Sequence, residues 1–283
     1  MRQNGTNAVI RRFLRHRLAV ISLILLLFLT LLAVLAPLIT PYPPAKSTGK
    51  FSQPPTPEHW LGTDKIGRDM FSRILFGMRA SLTVGFLATL LSTVIGVILG
   101  LLSGFFGGII DRAVMSFTDM VMSFPYILLV LVGAAVFEPG MTSIVLILGF
   151  VDWPGVARLV RGNTLSLRET GFIKSDITAG LPRSTVLFAE ILPNTLAPVL
   201  VYMSSVFALS VLDEAALSFL GMGIQPPTPS LGNLLGGAES LSVLTGKPWL
   251  WLPAGIVIAL LVVCINFVGD ALRDALDPRN ILR

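Results

Sequence analysis

The sequence is poor in charged residues. Only 13% of its 283 residues are charged, whereas 53% are hydrophobic, and the mean hydropathy is +0.80. These values lie outside the range of soluble domains. The pI of about 9.8 does not indicate a nucleic-acid-binding protein, because the basic residues lie in short gaps between apolar runs and not on one polar face. We therefore expect a protein whose main solvent is lipid.

Cysteine and histidine are scarce as well. Cys264 is the only cysteine, so an internal disulfide is excluded. It lies inside an apolar run, which predicts a packing role. The two histidines, His16 and His59, are far apart in the sequence. Without a second cysteine, they cannot assemble the usual zinc sites.

Nucleotide-binding and hydrolase motifs are missing from the sequence. A phosphate-binding loop ends in Gly-Lys-Ser or Gly-Lys-Thr, but Lys50 is followed by Phe51 and Lys247 by Pro248. We find no signature of a Ser-, Cys- or His-centred catalytic triad. The chain is therefore not expected to be an enzyme, and energy for any active process has to come from outside it.

Uncharged stretches long enough to cross a bilayer are frequent, since about 20 apolar residues span the hydrocarbon core. The first, 18–40, follows a basic start like that of a secretory signal but is too long for one, which favours an uncleaved helix over a cleaved signal. Residues 152–155 interrupt the fourth stretch. The remaining spans are predicted within 80–110, over 120–137, from 141 to an uncertain inner boundary, over 191–212 and over 248–269. This pattern predicts an all-α integral membrane protein with six transmembrane helices.

Glycines are concentrated at the end of the second span. The spacings Gly100-x3-Gly104 and Gly104-x3-Gly108 are typical of helices that approach each other closely. Gly104, Gly107 and Gly108 fit a glycine-rich exit loop equally well. Both interpretations are open at this point.

The basic residues predict the orientation, because they are enriched in cytoplasmic segments. With the N-terminus inside, cytoplasmic segments hold 14 of the 21 Lys and Arg residues. Six of the remaining seven lie between Lys46 and Arg79, which the rule does not favour. The predicted organisation is a cytoplasmic N-terminus (1–17), a first helix (18–40), an external segment (41–79), a five-helix core (80–269) that contains a cytoplasmic loop (158–190), and a cytoplasmic C-terminus (270–283).

The loop 158–190 is polar and has no hydrophobic run of spanning length, so we expect it in water. Its apolar residues follow a rough helical stripe that Gly180 and Pro182 interrupt. This pattern predicts two short helices joined by a bend. A soluble partner could bind such an exposed element and drive a conformational change through it, although a simple solvated connector also fits the pattern.

Four stretches resemble permeases of the dipeptide, oligopeptide and nickel class of ABC importers, of the second-permease type. They are HWLGTDKIGRD at 59–69 with FSRILFGMRASLTVG at 71–85, DEAALSFLGMGIQPPTPSLG at 213–232, NFVGDALRDALDPR at 266–279, and the loop 158–190 with its ending at 191–194. The resemblance implies a type I importer fold in a bacterial or archaeal inner membrane. It also implies a second related permease, two ATPase subunits that bind ATP and Mg²⁺, and an external solute-binding protein, with no cofactor in this chain. Peptides are the expected cargo, and nickel or metal chelates are the alternative.

The resemblance also implies that the loop couples the permease to the ATPase, but one part of it departs from the family. Lys174, Ser175 and Asp176 stand where the family has Glu-Ala-Ala, whereas Gly180 and the Leu-Pro ending are kept. This departure implies either a specialised ATPase partner or weakened coupling, and we favour the first. The predicted coupling residues are Lys174, Ser175, Asp176, Gly180, Leu181, Pro182 and Arg183, and the loop ending is Ile191, Leu192 and Pro193.

Two carboxylates, Asp213 and Glu214, end the fifth span, where an unpartnered charge is costly. Neighbouring positions on a helix point about 100° apart, so both cannot face one lumen. Either one borders the substrate path and meets a peptide's amino group, or they form a structural salt bridge near the membrane surface. A self-sufficient secondary carrier is the rival class of protein. It would show internal hydropathy repeats and a buried ion relay, and we find neither.

Overall fold

A computed structural model describes residues 11–238 and 240–276. The all-α membrane fold predicted from the sequence is confirmed. Five helices are long and apolar enough to cross a membrane, and up to six if one bent pair crosses as a single span. The helices are α1 (Arg17–Val34), α2 (Ala36–Ile39), α3 (Met70–Phe106), α4 (Gly108–Ser123), α5 (Tyr126–Val136), α6 (Met141–Arg168), α7 (Gly171–Thr178), α8 (Arg183–Phe219), α9 (Leu231–Leu235), α10 (Leu241–Gly246) and α11 (Leu252–Leu276).

Helix α3 is the centre of the bundle and packs along most of its length on α6. Glycines make this close approach possible. A Cβ atom at Gly100 would lie 2.6 Å from the carbonyl oxygen of Ala157, and one at Gly104 would lie 2.7 Å from Cβ of Thr164. Both interpretations of the glycine-rich stretch are therefore correct for different residues, because Gly107 ends α3 with a φ of +66° and forms the turn into α4.

Helix α3 begins at Met70, ten residues before the uncharged stretch that predicted the second span. Two polar interactions explain the early start. The Asp69 side chain caps the helix by accepting a hydrogen bond from the Ser72 amide at 2.8 Å. Arg73 is buried in the first turns because Nη1 lies 2.9 Å from Oδ2 of Asp64. A charge count cannot anticipate this pairing.

The segment before α3 folds around the first of the resemblance motifs. His59 and Asp69 form a buried pair at 2.9 Å, and the ring of Tyr42 packs on His59 with 4.9 Å between centroids. Asp64 accepts a hydrogen bond from the Arg68 amide at 2.8 Å and another from Nε of Arg68 at 2.7 Å. The motif HWLGTDKIGRD therefore builds the fold of this segment.

Three of the six basic residues between Lys46 and Arg79 serve this same fold. Arg68 and Arg73 pair with Asp64. Lys50 pairs with Glu58, and its hydrogen bond lowers the pKa of that exposed carboxyl. These cations lie in the segment for structural reasons.

The third span, predicted as one helix over 120–137, is broken. Helices α4 and α5 meet at an angle of 87°, and α5 has only 11 residues. Pro125 causes the break, because the residue before a proline is biased towards extended backbone, and Phe124 adopts φ −87° and ψ 142°. The apolar composition of this stretch hides the break from a hydropathy reading.

The fourth and fifth spans are longer than predicted. Helix α6 continues through Pro154 to Arg168, so residues 152–155 do not end it. The two short helices predicted for the loop are α7 and the first turns of α8, and the second is continuous with the fifth span. A π-helical stretch, Val186–Ile191, precedes Pro193. The wider turn lets the helix pass a proline that has no amide hydrogen to donate.

The first and last spans close one side of the bundle. Helix α11 packs on α8 and α1. At their ends, Nε2 of His16 lies 3.4 Å from Oδ2 of Asp274. The start of α1 and the end of α11 are therefore at the same end of the bundle. The remainder of the predicted cytoplasmic termini, 1–10 and 277–283, lies outside the described residues.

Candidate functional site

The predicted coupling residues lie at one protruding tip, which consists of α7, the bend 179–182 and the first turn of α8. The structure brings these residues together, as the sequence predicts. Asp176 is half-buried, and the others are exposed. The exposed residues are Lys174, Ser175, Gly180, Leu181, Pro182 and Arg183.

The tip is anchored by apolar contacts to the membrane helices. Ile173 of α7 and Val186 and Ile191 of α8 are fully buried. They belong to one hydrophobic cluster with Phe105 of α3 and Val160 of α6. In the loop ending, Ile191 is thus a core residue, Leu192 is partly buried and Pro193 is exposed. The tip is therefore packed directly against α3 and α6.

The bend after α7 is a Schellman motif built on Gly180. The Leu181 amide donates to the carbonyl of Asp176 at 3.1 Å, and the Gly180 amide donates to the carbonyl of Ile177 at 3.1 Å. Gly180 has a φ of +80°, which disfavours any residue with a side chain, and a Cβ there would have no neighbour within 4 Å. The glycine is needed for the turn, and it leaves open space above the bend.

Apolar side chains are exposed around the same tip. Phe172 is 47% exposed, Ile177 46% and Leu181 42%. Lys174 lies beside them and pairs with Glu169 at 2.8 Å, a hydrogen bond that lowers the pKa of the Glu169 carboxyl. This pair is solvent-exposed and therefore weak, so both charges are accessible to a partner. An exposed apolar patch with charges at its edge is typical of a protein interaction site.

Glu214 has no exposed surface and is held by hydroxyl groups. Ser81 of α3 donates a short hydrogen bond to its carboxylate, and Ser218 donates to Oε1 at 2.7 Å. Oγ of Ser81 also accepts from the Leu231 amide at 3.3 Å, which brings the start of α9 into the network. The structure therefore gives Glu214 a structural role in joining α3, α8 and α9. Its hydrogen-bond partners are hydroxyls, not the cation of a salt bridge.

Asp213 points in another direction, as the helix geometry predicts. Its Oδ2 accepts a hydrogen bond from the hydroxyl of Tyr126 at 2.6 Å, and the side chain is partly exposed. Of the two predicted carboxylates, only Asp213 reaches a surface that solute could contact. A role in the pathway is still a prediction for both.

Sequence reasoning missed a cavity beside Asp213. It has a volume of about 310 Å³ and is lined by the ends of α4 and α5 that meet at the Pro125 break, by α6 and by α8. Tyr126, Asp152 and Tyr202 lie in its wall. The sequence pattern identifies Asp152 only as part of the interruption of the fourth span. A carboxylate within a predicted span was the signal that pointed to it.

A second cavity, of about 540 Å³, adjoins the first. Tyr202 lines both, and the second is lined further by Asn194 of α8 and by Arg273 near the end of α11. The two cavities therefore meet at Tyr202 of α8.

Two models of known protein families together match most of the chain. Residues 96–281 match the model of the binding-protein-dependent transport system inner membrane component. Residues 7–55 match the N-terminal transmembrane domain of oligopeptide transport permease C.

Curated relatives with high coverage are transport permeases. The dipeptide transport system permease protein DppC of Alkalihalophilus pseudofirmus is 38% identical over 94% of this chain and 87% of its own length. The glutathione transport system permease protein GsiD of Pectobacterium atrosepticum is 40% identical over 95% of this chain and 89% of its own length. The similarity therefore covers almost all of both proteins.

Solved structures with a similar fold come from ABC importers. An inward-facing form of the MetNI methionine ABC transporter has a TM-score of 0.58 and 20% identity, covering 74% of this chain and 98% of that one. An amino acid ABC transporter crystallised with histidines has a TM-score of 0.56 and 14% identity, covering 73% and 95%. At these identities the likeness shows the type I importer fold.

Proposed function

This chain belongs to the family of binding-protein-dependent transport system inner membrane components, and we propose that within this family it imports di- or oligopeptides. It is a permease subunit of an ABC importer and a multi-pass inner-membrane protein. It works with ATPase and substrate-binding partners. The chain is a transport component, and ATP hydrolysis takes place in separate subunits.

The observation that carries the cargo proposal is the near-complete match to permeases named for peptides. Relatives named for dipeptide, glutathione and peptide transport are each 38–40% identical over at least 94% of this chain. Dipeptides and glutathione share a peptide bond and free charged ends, so the common cargo chemistry is a short zwitterionic peptide. Nickel or metal-chelate import is the alternative within the family, and a self-sufficient carrier is the alternative outside it.

We propose that the chain forms half of the pathway together with a second, related permease, above two ATPase subunits that bind ATP and Mg²⁺. The cavity lined by α8 and the end of α11 supports this arrangement, because it is open to the outside of a single chain. A second permease would close it.

The tip of α7 and α8 is the proposed contact with an ATPase subunit. Its exposed apolar patch, its rigid Schellman bend and its buried anchor to α3 and α6 support this role. The polar residues Lys174, Ser175 and Asp176, where the family has Glu-Ala-Ala, favour an ATPase groove of matching charge.

The proposed orientation has both termini and the tip in the cytoplasm. The excess of basic residues supports it, as does the contact between His16 and Asp274 at one end of the bundle. Cysteine labelling tests it, and the native Cys264 is only 3% exposed, so background reaction is expected to be low. A thiol introduced at Ser175 is expected to react with an impermeant reagent in inverted vesicles and not in intact cells. The opposite pattern would overturn the orientation.

The cargo proposal is tested by uptake into proteoliposomes that contain this chain, its partner permease and the ATPase subunits, with loaded binding protein outside and ATP inside. We expect labelled dipeptide to accumulate only with hydrolysable ATP. Nickel uptake without peptide uptake would support the metal alternative. Uptake by the isolated chain, driven by an ion gradient, would support the carrier alternative.

A further inference from the structure

We infer that the cavity at the break in the third span binds the ammonium group of the transported solute. This inference rests on the proposed peptide function, and it assigns to Asp152, Tyr126 and Asp213 the role of receiving the charged amino group inside the membrane. The site combines a cavity of about 310 Å³, lined by Asp152 and Tyr126, with the Asp213 carboxylate that accepts a hydrogen bond from Tyr126.

The first observation behind this inference is the hydrogen bonding of the carboxylates at the cavity. The hydroxyl of Tyr126 donates to Oδ2 of Asp213 at 2.6 Å. Tyr126 lines the cavity together with Asp152, so it links Asp213 to the cavity wall. Oδ2 of Asp152 has almost no exposed surface and has no hydrogen-bond partner among the described residues. The Tyr126 hydroxyl is already given to Asp213, so Asp152, a residue of the cavity wall, keeps an oxygen without a donor.

The second observation behind this inference is the position of Asp152 along α6. Asp152 lies 11 residues after the start of α6, which is about 17 Å along the helix axis and close to the middle of a hydrocarbon core about 30 Å thick. An ionisable side chain at this depth normally faces a cavity or a partner and marks a solute or ion path. The backbone at Pro125 is also non-helical here, and such backbone is tolerated at membrane depth where it lines a cavity or is covered by protein.

The chemistry of the wall selects the ligand. An ammonium group has three donors and no acceptor, which matches the carboxylate of Asp152 and the phenolic oxygen of Tyr126 in the wall, with the Asp213 carboxylate bonded to Tyr126 behind them. The aromatic rings of Phe124, Tyr126 and Tyr202 line the same cavity and favour a cation near their faces. A bare metal ion fits less well, because no third His, Cys, Asp or Glu joins the two carboxylates in the part of the chain that the structure describes.

The test uses the reconstituted importer with the double variant Asp152→Asn and Asp213→Asn, and with the Asp→Glu pair as rescue. The matched control is Glu138→Gln, which removes an exposed carboxylate in the turn between α5 and α6. We expect the Asn pair to assemble and to keep the ATPase activity stimulated by loaded binding protein. Its uptake of a dipeptide with neutral side chains should fall roughly tenfold or more, as for loss of a buried charge partner. The Glu pair should recover most of the uptake, and the control should equal wild type.

Cargos that differ in their ammonium groups show which of these groups the site binds. A dipeptide with neutral side chains carries only the amino-terminal ammonium, its N-acetylated form carries none, and an N-acetylated lysine peptide carries only the side-chain ammonium. Each is compared at saturating, separately measured loading of the binding protein. The Asn pair should slow every cargo that has an ammonium group and leave the uptake of the cargo without an ammonium group unchanged.

Several outcomes would overturn the inference. Equal uptake of the ammonium cargo by wild type and the Asn pair would exclude the site. Equal slowing of the acetylated and free peptides would indicate a structural role. Failure of the Asn pair to assemble, with rescue by the Glu pair, would indicate that the carboxylates pair with a cation of the partner permease. Absence of peptide import by the wild-type complex would instead refute the proposed function.

Discussion

The contact between α3 and α6 predicts a large difference between two identical substitutions, Gly100→Ala and Gly162→Ala. Both glycines lie inside helices, and both gain about 1 kcal/mol of helix propensity on becoming alanine. At Gly162 the new methyl has no neighbour within 4 Å. At Gly100 it would lie 2.6 Å from the carbonyl oxygen of Ala157 and 2.7 Å from Cβ of Val160.

The expected loss of stability in Gly100→Ala follows from these distances. A backbone oxygen on a packed helix cannot move aside as a flexible side chain can, so the helices have to separate. Overpacking of this kind costs about 1–3 kcal/mol. Because the propensity gain is the same in both variants, the difference between them isolates this steric cost. Gly162→Ala is expected to be slightly more stable than wild type, and Gly100→Ala less stable than Gly162→Ala by about 1–3 kcal/mol.

The assay is the melting temperature of the detergent-solubilised chain, followed by the loss of monodisperse protein on heating. For a chain of this size, 1 kcal/mol corresponds to about 2–4 °C, so the two variants should differ by several degrees. A Gly100→Ala protein that melts at or above the temperature of Gly162→Ala would refute the close α3–α6 contact.

Two further predictions concern Glu214 and the tip. Glu214→Ala leaves the buried hydroxyls of Ser81 and Ser218 without their acceptor and should lower the free energy of unfolding by about 2–5 kcal/mol. Glu214→Gln, which keeps an acceptor oxygen, should lower it less, and equal melting of both variants would contradict the hydroxyl network. The charge reversal Lys174→Glu with Asp176→Lys should weaken co-purification of the ATPase subunits without changing the melting temperature of the permease. Unchanged co-purification would show that these charges do not contribute to docking.

Much of the fold was predictable because it depends on composition and local chemistry. The length of the apolar stretches predicted the number and order of the spans. The small-residue spacing offered a helix contact as one of two interpretations, and the structure shows this contact at Gly100 and Gly104. Gly180 was predicted to form a bend because a glycine followed closely by a proline ends a helix in most contexts. The structure adds that the bend needs a positive φ at this residue.

The predictions of helix boundaries that were wrong concern residues whose structure depends on partners distant in sequence. Arg73 lies inside α3 because Asp64 neutralises it, and a charge count treats it as a reason to exclude a helix. Pro154 is tolerated inside α6, whereas Pro125 breaks the third span. The sequence around them does not distinguish the two prolines.

Only part of the candidate site was predictable from the sequence. The loop residues lie together because they are close in sequence. Asp213 and Glu214 were found as intramembrane carboxylates, but only the fold separates the buried one from the partly exposed one. Asp152 was not grouped with Asp213, because they are 61 positions apart in the sequence. Only the fold places Tyr126, the hydrogen-bond partner of Asp213, in one cavity wall with Asp152.

The most direct test of ATP-driven transport through this chain is the coupling of hydrolysis to uptake in Gly180→Trp. Gly180→Ala is measured beside it, because alanine shares the strain of the positive φ but not the bulk. Gly140→Trp adds the same bulk at an open glycine in the turn between α5 and α6. Complex assembly is verified by co-purification, and peptide uptake and ATPase stimulation by loaded binding protein are recorded together. We predict that Gly180→Trp assembles but loses most uptake per ATP hydrolysed, while Gly180→Ala and Gly140→Trp retain most of it. Full stimulation and full uptake in an assembled Gly180→Trp complex would contradict the coupling role of the tip.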